Sequence, residues 1–226
     1  MATGLFWHGI LWAFVTESGV LHMRTDWYWI RQGALLQDPG RYAGRMDLPT
    51  LPPDAPTARR LRARLPNGAV WLTSPLARAR QTVAALDPAA NAVTVDEISD
   101  QDLGHWAGRR RTEVHKANPQ IDWTQPASIE PEGGEAFPEV VDRTAGVIER
   151  LTQHYPDRPL VVVTHAAVIR AALVLALDLP VEAGFQFECA PFSLTHLSWT
   201  GPSDFDGASE ERIGTWRVHH LNLTVS

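Results

Sequence analysis

At three positions in the chain, polar or charged side chains directly follow an apolar stretch that has the pattern of a buried strand. The residues at these points are Arg31-Gln32-Gly33, then Ser74 with Arg78 four residues later, and finally His165. In open α/β folds the carboxyl ends of parallel strands lie along one edge of the sheet, where ligands bind. Two guanidinium groups, an imidazole and helix N-terminal N–H groups suit a dianionic phosphate. We therefore expect Arg31, Arg78 and His165 to meet at a phosphate site.

The segments between these points predict a layered α/β fold. Helical periodicity is seen in Ala77–Leu86, in the amphipathic segment 135–155 and in the apolar segment Ala166–Leu177. Asp54 and Pro56 are typical of a helix N-terminus. Further strands are predicted at Val93–Val95, Phe192–Trp199 and Thr215–Asn222. Together these segments predict a three-layer α/β/α sandwich with a mostly parallel central sheet.

Composition narrows the classes of partner. The chain has 226 residues, 44% of them hydrophobic, which fits one globular domain. Its net charge of −6 argues against a nucleic-acid partner or a membrane surface, since both favour a basic face. The single cysteine, Cys189, cannot form an internal disulfide, so we expect a cytoplasmic protein. No metal is expected, because His219 and His220 are adjacent on a predicted strand and would point to opposite faces.

Six motifs follow one another between about Trp27 and Asn222. They are Arg31-Gln32-Gly33, Gly40–Pro49, Ser74–Thr82, Gly104–Gly108, Gly133-Gly134-Glu135 and Thr164-His165. In this order they resemble the histidine phosphatase superfamily, which includes cofactor-dependent phosphoglycerate mutases and many small phosphomonoesterases. The resemblance implies a phosphoglycerate mutase-like fold and a small phosphorylated metabolite as the ligand, and we expect no cofactor.

The resemblance also implies a role for each matching position. In the family a first histidine attacks phosphorus, two arginines and a second histidine hold the phosphoryl oxygens, and a carboxylic acid protonates the leaving oxygen. Carried over to this chain, the substrate-binding positions are Arg31, Gly33, Arg78 and His165. Asp100 occupies the proton-donor position, where the family pattern has Glu, and Asp38 stands where many members have Asn.

Gln32 occupies the position of the nucleophilic histidine. Its amide nitrogen has no basic lone pair and its oxygen is a poor nucleophile, so it cannot form a phosphohistidine. Losing a nucleophile that acts as part of a unit costs on the order of 10³–10⁶ in turnover. We therefore expect phosphate-monoester binding without covalent catalysis. Two alternatives stay open, namely an active phosphomonoesterase in which His165 or a water replaces the nucleophile, and a non-catalytic partner-binding protein.

The division of the chain follows from where the motifs begin. Residues 1–24 precede the family pattern and are predicted to be an N-terminal extension, with 25–226 forming the histidine phosphatase-like domain. The extension fits an extra hairpin or edge segment, or an upstream start with Met23 as the natural beginning. A targeting peptide is the third alternative. The apolar residues 5–15 favour it, whereas the absence of a basic residue before them counts against it.

Overall fold

The computed structural model describes residues 14–15, 21–36, 38–202 and 214–225, which contain one sheet and helices on both of its faces. The strands are β1 (Phe14–Val15), β2 (Leu21–Arg31), β3 (Val70–Thr73), β4 (Val93–Thr94), β5 (Leu160–Thr164), β6 (Leu194–Pro202) and β7 (Thr215–Leu223). The α-helices are α1 (Ala55–Arg62), α2 (Ala77–Leu86), α3 (Arg111–Ala117), α4 (Phe137–His154) and α5 (Ala166–Ala176).

The sheet is mixed. Its strand order is β4-β3-β5-β2-β6-β7, and β1 pairs with the start of β2. Strands β4, β3, β5 and β2 run parallel to one another, whereas β6 is antiparallel to both β2 and β7. The predicted α/β sandwich is confirmed, with an antiparallel part on the β6–β7 side. The four parallel strands bring the ends of β2, β3 and β5 to one edge.

Two apolar cores cover the two faces of the sheet, because side chains alternate along each strand. Leu160 and Val162 of β5 belong to one core together with α4 and α5. Val161 and Val163 belong to the other core, which includes residues of α1 and α2. Since β5 is buried on both faces, it reads as the continuous apolar run that parallel strands show.

The boundaries of α1 and α2 follow the sequence closely. The carboxylate of Asp54 caps α1 by accepting a hydrogen bond of 2.6 Å from the N–H of Thr57. Helix α2 has the predicted bounds, so Arg78 is its second residue. No helix in the described part of the chain combines the length and apolarity needed to cross a membrane.

The N-terminal part of the chain joins the sheet through its backbone. Residues 14–15 pair antiparallel with residues 21–22, and strand β2 starts at residue 21, ahead of the predicted division at residue 24. Residues 1–13 and 16–20 lie outside the described residues, as do 203–213 in the predicted polar loop between β6 and β7. The assignment of 1–24 as a separate extension stays a prediction.

One expectation about β7 is wrong. The pairing of β6 with β7 has a bulge in which His196 pairs with His220 and Leu197 with Val218, so His219 is the extra residue. The rings of His219 and His220 lie 4.3 and 6.2 Å from that of His196, so they do not simply diverge to opposite faces. A bulge redirects side chains in a way that strict alternation does not anticipate.

Candidate phosphate site

The ends of three neighbouring parallel strands form the floor of the site. The backbone N–H of Gln32 donates to the carbonyl of Thr164 at 2.9 Å, and the N–H of Ser74 donates to the carbonyl of Val163 at 3.1 Å. These bonds place the ends of β2 and β3 on either side of the end of β5. His165 follows directly after β5 and therefore lies between the other two strand ends.

Arg78 is fully buried and held by four hydrogen bonds. Its Nε donates to Nδ1 of His165 at 3.2 Å, and its Nη1 donates to the carbonyl of Met46 at 2.7 Å. Its Nη2 donates to the carbonyl of Gly44 at 2.7 Å and to Oδ2 of Asp100 at 2.9 Å. The guanidinium is therefore preorganised, and one of its five N–H groups has no assigned acceptor among the described residues.

The bonds around His165 define its tautomer. Because Arg78 can only donate, Nδ1 of His165 must be unprotonated, and the proton on Nε2 is donated to the hydroxyl of Ser74 at 2.8 Å. Burial lowers the pKa of His165 to about 3, and the carboxylate of Asp100 only partly offsets that effect. His165 is therefore neutral near pH 7, and its 3.6 Å approach to Asp100 is not an ion pair.

Asp100 lies beside Arg78 and is ionised at neutral pH. Burial alone would raise the pKa of its carboxyl, but the neighbouring His165 and Arg78, together with the hydrogen bonds from Arg78 and from the N–H of Gln101, outweigh that effect. The pKa consequently lies below its ordinary value. An ionised carboxylate has no proton to donate, so a proton must first be taken up before Asp100 could act as an acid.

Arg31 and Gln32 contribute polar atoms that the protein leaves unpaired. Nη1 of Arg31 donates to the carbonyl of Cys189, whereas its Nε is buried and has no partner among the described residues. The Oε1 of Gln32 is also buried and without a partner there. Burial lowers the pKa of Arg31, although both Cys189 and Asp100 act to raise it.

Gly33 is required by a close approach of neighbouring chains. A Cβ at this position would lie 2.3 Å from the ring of Phe192 and 2.4 Å from the hydroxyl of Thr50. The N–H of Gly33 donates to Thr82 at 3.0 Å, and the hydroxyl of Thr82 donates to the carbonyl of Arg78 at 2.7 Å. Gly33 thus connects the end of β2 to α2 through its backbone, and no side chain fits there.

An ion-pair network fixes the loop that contains Asp100. Glu135 accepts hydrogen bonds from Arg143 at 2.8 and 3.0 Å, from Arg45 at 3.0 Å and from the N–H of Asp102 at 2.9 Å. Arg45 also donates to the carbonyl of Asp100 at 3.1 Å. The sequence analysis included Glu135 as a motif residue but missed Arg143, which lies on α4 eight residues later.

Asp38 lies outside the cluster around Arg78. Its carboxylate accepts a hydrogen bond of 2.9 Å from the N–H of Gly40 and pairs with Arg110 at 3.1 Å. Both contacts order the loop after β2. Asp38 therefore has a structural role in this chain.

Comparison with known proteins identifies the family of this chain. The model of the histidine phosphatase superfamily (branch 1) matches residues 22–204. The chain belongs to the histidine phosphatase superfamily. A bifunctional protein of Mycobacterium tuberculosis is 35% identical over 114 residues, which cover 49% of this chain and 31% of that protein. A glucosyl-3-phosphoglycerate phosphatase of Mycolicibacterium vanbaalenii is 33% identical over 122 residues, covering 49% of this chain and 54% of the relative.

Solved structures of a phosphatase share the fold of this chain. The native structure of a mycobacterial glucosyl-3-phosphoglycerate phosphatase is 24% identical with a TM-score of 0.73, covering 90% of this chain and all of that one. The same phosphatase has been solved with inorganic phosphate, with a TM-score of 0.71 at 22% identity. Since the chain spans about a third to a half of the two curated relatives described above, their likeness supports family membership and not a shared substrate.

Proposed function

We propose that this protein binds a small phosphate monoester between Arg31, Arg78 and His165 and lacks phosphohistidine catalysis because of Gln32. The main support is that Nε of Arg31 and Oε1 of Gln32 are both buried without a partner among the described residues. Leaving a buried polar group unpaired costs about 1–3 kcal/mol, and more for a charged group. A phosphate oxygen would satisfy the guanidinium N–H and remove that cost.

The amide of Gln32 can serve a bound phosphate but cannot replace a histidine. As assigned, its Oε1 can accept a hydrogen bond from a protonated phosphate oxygen, and rotating the amide by half a turn would present two N–H donors to an ionised one. Neither orientation offers a nucleophilic nitrogen lone pair. Gln32 is therefore proposed as a binding residue.

Asp100 is expected to couple phosphate binding to proton uptake. Its carboxylate already accepts a hydrogen bond from Arg78, and a phosphate dianion on the same guanidinium would bring like charges together. Phosphate binding should thus raise the pKa of Asp100. Asp100 would then carry a proton, which it needs in order to protonate a leaving oxygen.

The alternative in which His165 attacks phosphorus has less support. Its Nδ1 lone pair accepts from Arg78, and its Nε2 proton is donated to Ser74. Attack would require one of these bonds to break and the imidazole, which is fully buried, to turn. Turnover measurements distinguish the other alternative, attack by a water, from simple binding.

The proposed ligand class is a small phosphorylated metabolite. The glucosyl-3-phosphoglycerate phosphatase of Mycolicibacterium vanbaalenii supports the class by its name, but the shared segment covers only 54% of it. The lone Cys189 supports a reducing compartment such as the cytoplasm.

Calorimetric titration with inorganic orthophosphate tests the proposal. Arg31→Gln should weaken binding by about 10- to 100-fold, since a charge-assisted hydrogen bond contributes about 1.5–3 kcal/mol. Arg60→Gln is the matched control, because Arg60 is an exposed arginine on α1 that contributes no contact to the candidate site. Equal phosphate affinity in both variants would contradict the site. Steady hydrolysis of nitrophenyl phosphate by the parent protein would contradict the loss of catalysis.

A further inference from the structure

A second cluster of polar side chains lies on strands β2, β6 and β7, away from the phosphate site. Asp26, His196 and His219 each offer one ligand atom, and these atoms all lie within 4.8 Å of one another. Asp26 precedes Arg31 by five residues along β2, which is about 17 Å at 3.3–3.4 Å per residue. The cluster is therefore separate from the strand ends described above.

The sheet holds these three side chains in register. The ring of His196 stacks on Tyr28 at 4.1 Å, and the ring of His219 stacks on His196 at 4.3 Å. Nε2 of His196 lies 2.9 Å from Oδ1 of Asp26. The bulge in β7 brings His219 to this position, so the cluster depends on a specific distortion of the edge strand.

We propose that Asp26, His196 and His219 form a site for a divalent transition-metal ion such as Zn²⁺. Two imidazoles and one carboxylate are typical ligands of this class, whereas Mg²⁺ and Ca²⁺ prefer oxygen ligands throughout. Bond lengths of 2.0–2.1 Å place tetrahedral ligand atoms roughly 3.4 Å apart, so the ligand atoms must move closer than their present separations of up to 4.8 Å. The stacked rings of His196 and His219 must also turn so that their nitrogen lone pairs converge on the ion. A water completes the tetrahedron, because three protein ligands leave one position open.

Neighbouring groups support and oppose this site in defined ways. Nε2 of His219 is 2.8 Å from the hydroxyl of Ser198, a bond that orients the ring and leaves Nδ1 for the metal. Arg24 opposes the metal, because its Nε and Nη2 each donate to Asp26 at 2.9 Å. Its side chain is 54% exposed and can turn into solvent when a dication replaces it. The bound metal would then link strands β2, β6 and β7 through one ligand from each strand.

Calorimetric titration of the full chain with Zn²⁺, after removal of metals by a chelator, tests this site. We expect one Zn²⁺ per chain. We expect about 10-fold weaker binding or more from each of Asp26→Asn, His196→Ala and His219→Ala. Substituting a residue that only hydrogen-bonds to a metal ligand already lowers metal affinity by about 10- to 100-fold. His154→Ala is the matched control, since His154 is exposed on α4, and it should leave Zn²⁺ affinity unchanged.

Arg24→Gln provides a test in the opposite direction. Removing the competing guanidinium should tighten Zn²⁺ binding, a gain that misfolding cannot produce. Co²⁺ added to the same variant should give the visible absorption of a four-coordinate nitrogen and oxygen site. The proposal would be overturned if neither the parent nor Arg24→Gln bound Zn²⁺ saturably. So would undiminished affinity in both His196→Ala and His219→Ala.

Discussion

The buried neutral imidazole of His165 should make the protein lose stability in mild acid. The pKa of His165 is about 3 in the folded protein against 6.5 for the free side chain, so only the unfolded chain binds this proton between those values. The free energy of unfolding should therefore be constant above pH 6.5 and fall as the pH drops towards 3. From neutral pH to pH 5 the loss should be about 2 kcal/mol, at about 1.36 kcal/mol per pH unit below 6.5.

Urea unfolding curves between pH 5 and 7.5, in buffer containing a chelator, measure this loss. The window excludes the carboxylates with lowered pKa values, because Asp26 and Asp100 lose their contributions only below pH 3.8. His165→Asn removes the titration while its amide oxygen can still accept from Arg78, so its profile should be nearly flat. His219→Asn should flatten the profile far less, since that ring is exposed. Equal slopes in the parent and in His165→Asn would show that His165 does not cause the loss of stability.

Three further outcomes follow from the contacts of the phosphate site and the N-terminal strand. Orthophosphate affinity should fall between pH 6 and 8 more steeply in the parent than in Asp100→Asn, as calorimetry would show; equal pH dependence would exclude proton coupling at Asp100. Gly33→Ala should lower the free energy of unfolding by about 1–3 kcal/mol in urea, because the added methyl group overlaps Phe192 and Thr50; unchanged stability would mean that the chain relaxes freely there. A protein beginning at Met23 should fold and bind phosphate as the full chain does, and its recovery only as aggregate would show that the preceding residues are needed.

Part of the fold could be predicted because local signals and tertiary packing agree. Asp54 is an N-cap carboxylate, Ala77–Leu86 has helical periodicity, and Leu160–Thr164 is an uninterrupted apolar run bounded by polar groups. Each of these elements follows from neighbours in sequence. Parallel pairing then brings the ends of separate strands together, which is why Arg78 and His165 could be expected to meet.

The remaining features depend on contacts that no local pattern encodes. The acceptors of Arg78 include the main-chain carbonyls of Gly44 and Met46, and any residue type could supply those. Arg143 binds Glu135 from the polar side of an amphipathic helix, where arginine is usually only solvated. The bulge at His219 arises from the pairing of two strands, so a single strand's alternation predicted the opposite geometry.

If Gln32 is what prevents phosphohistidine formation, the substitution Gln32→His should permit it. Gln32→Asn is the control that keeps an amide at the position. Each protein is mixed with nitrophenyl phosphate, quenched in denaturant at alkaline pH, and assayed for an acid-labile phosphoenzyme. We expect a phosphohistidine in Gln32→His and none in the parent or in Gln32→Asn. Phosphorylation of the parent protein, or turnover in the parent equal to that of Gln32→His, would show that Gln32 does not block the reaction.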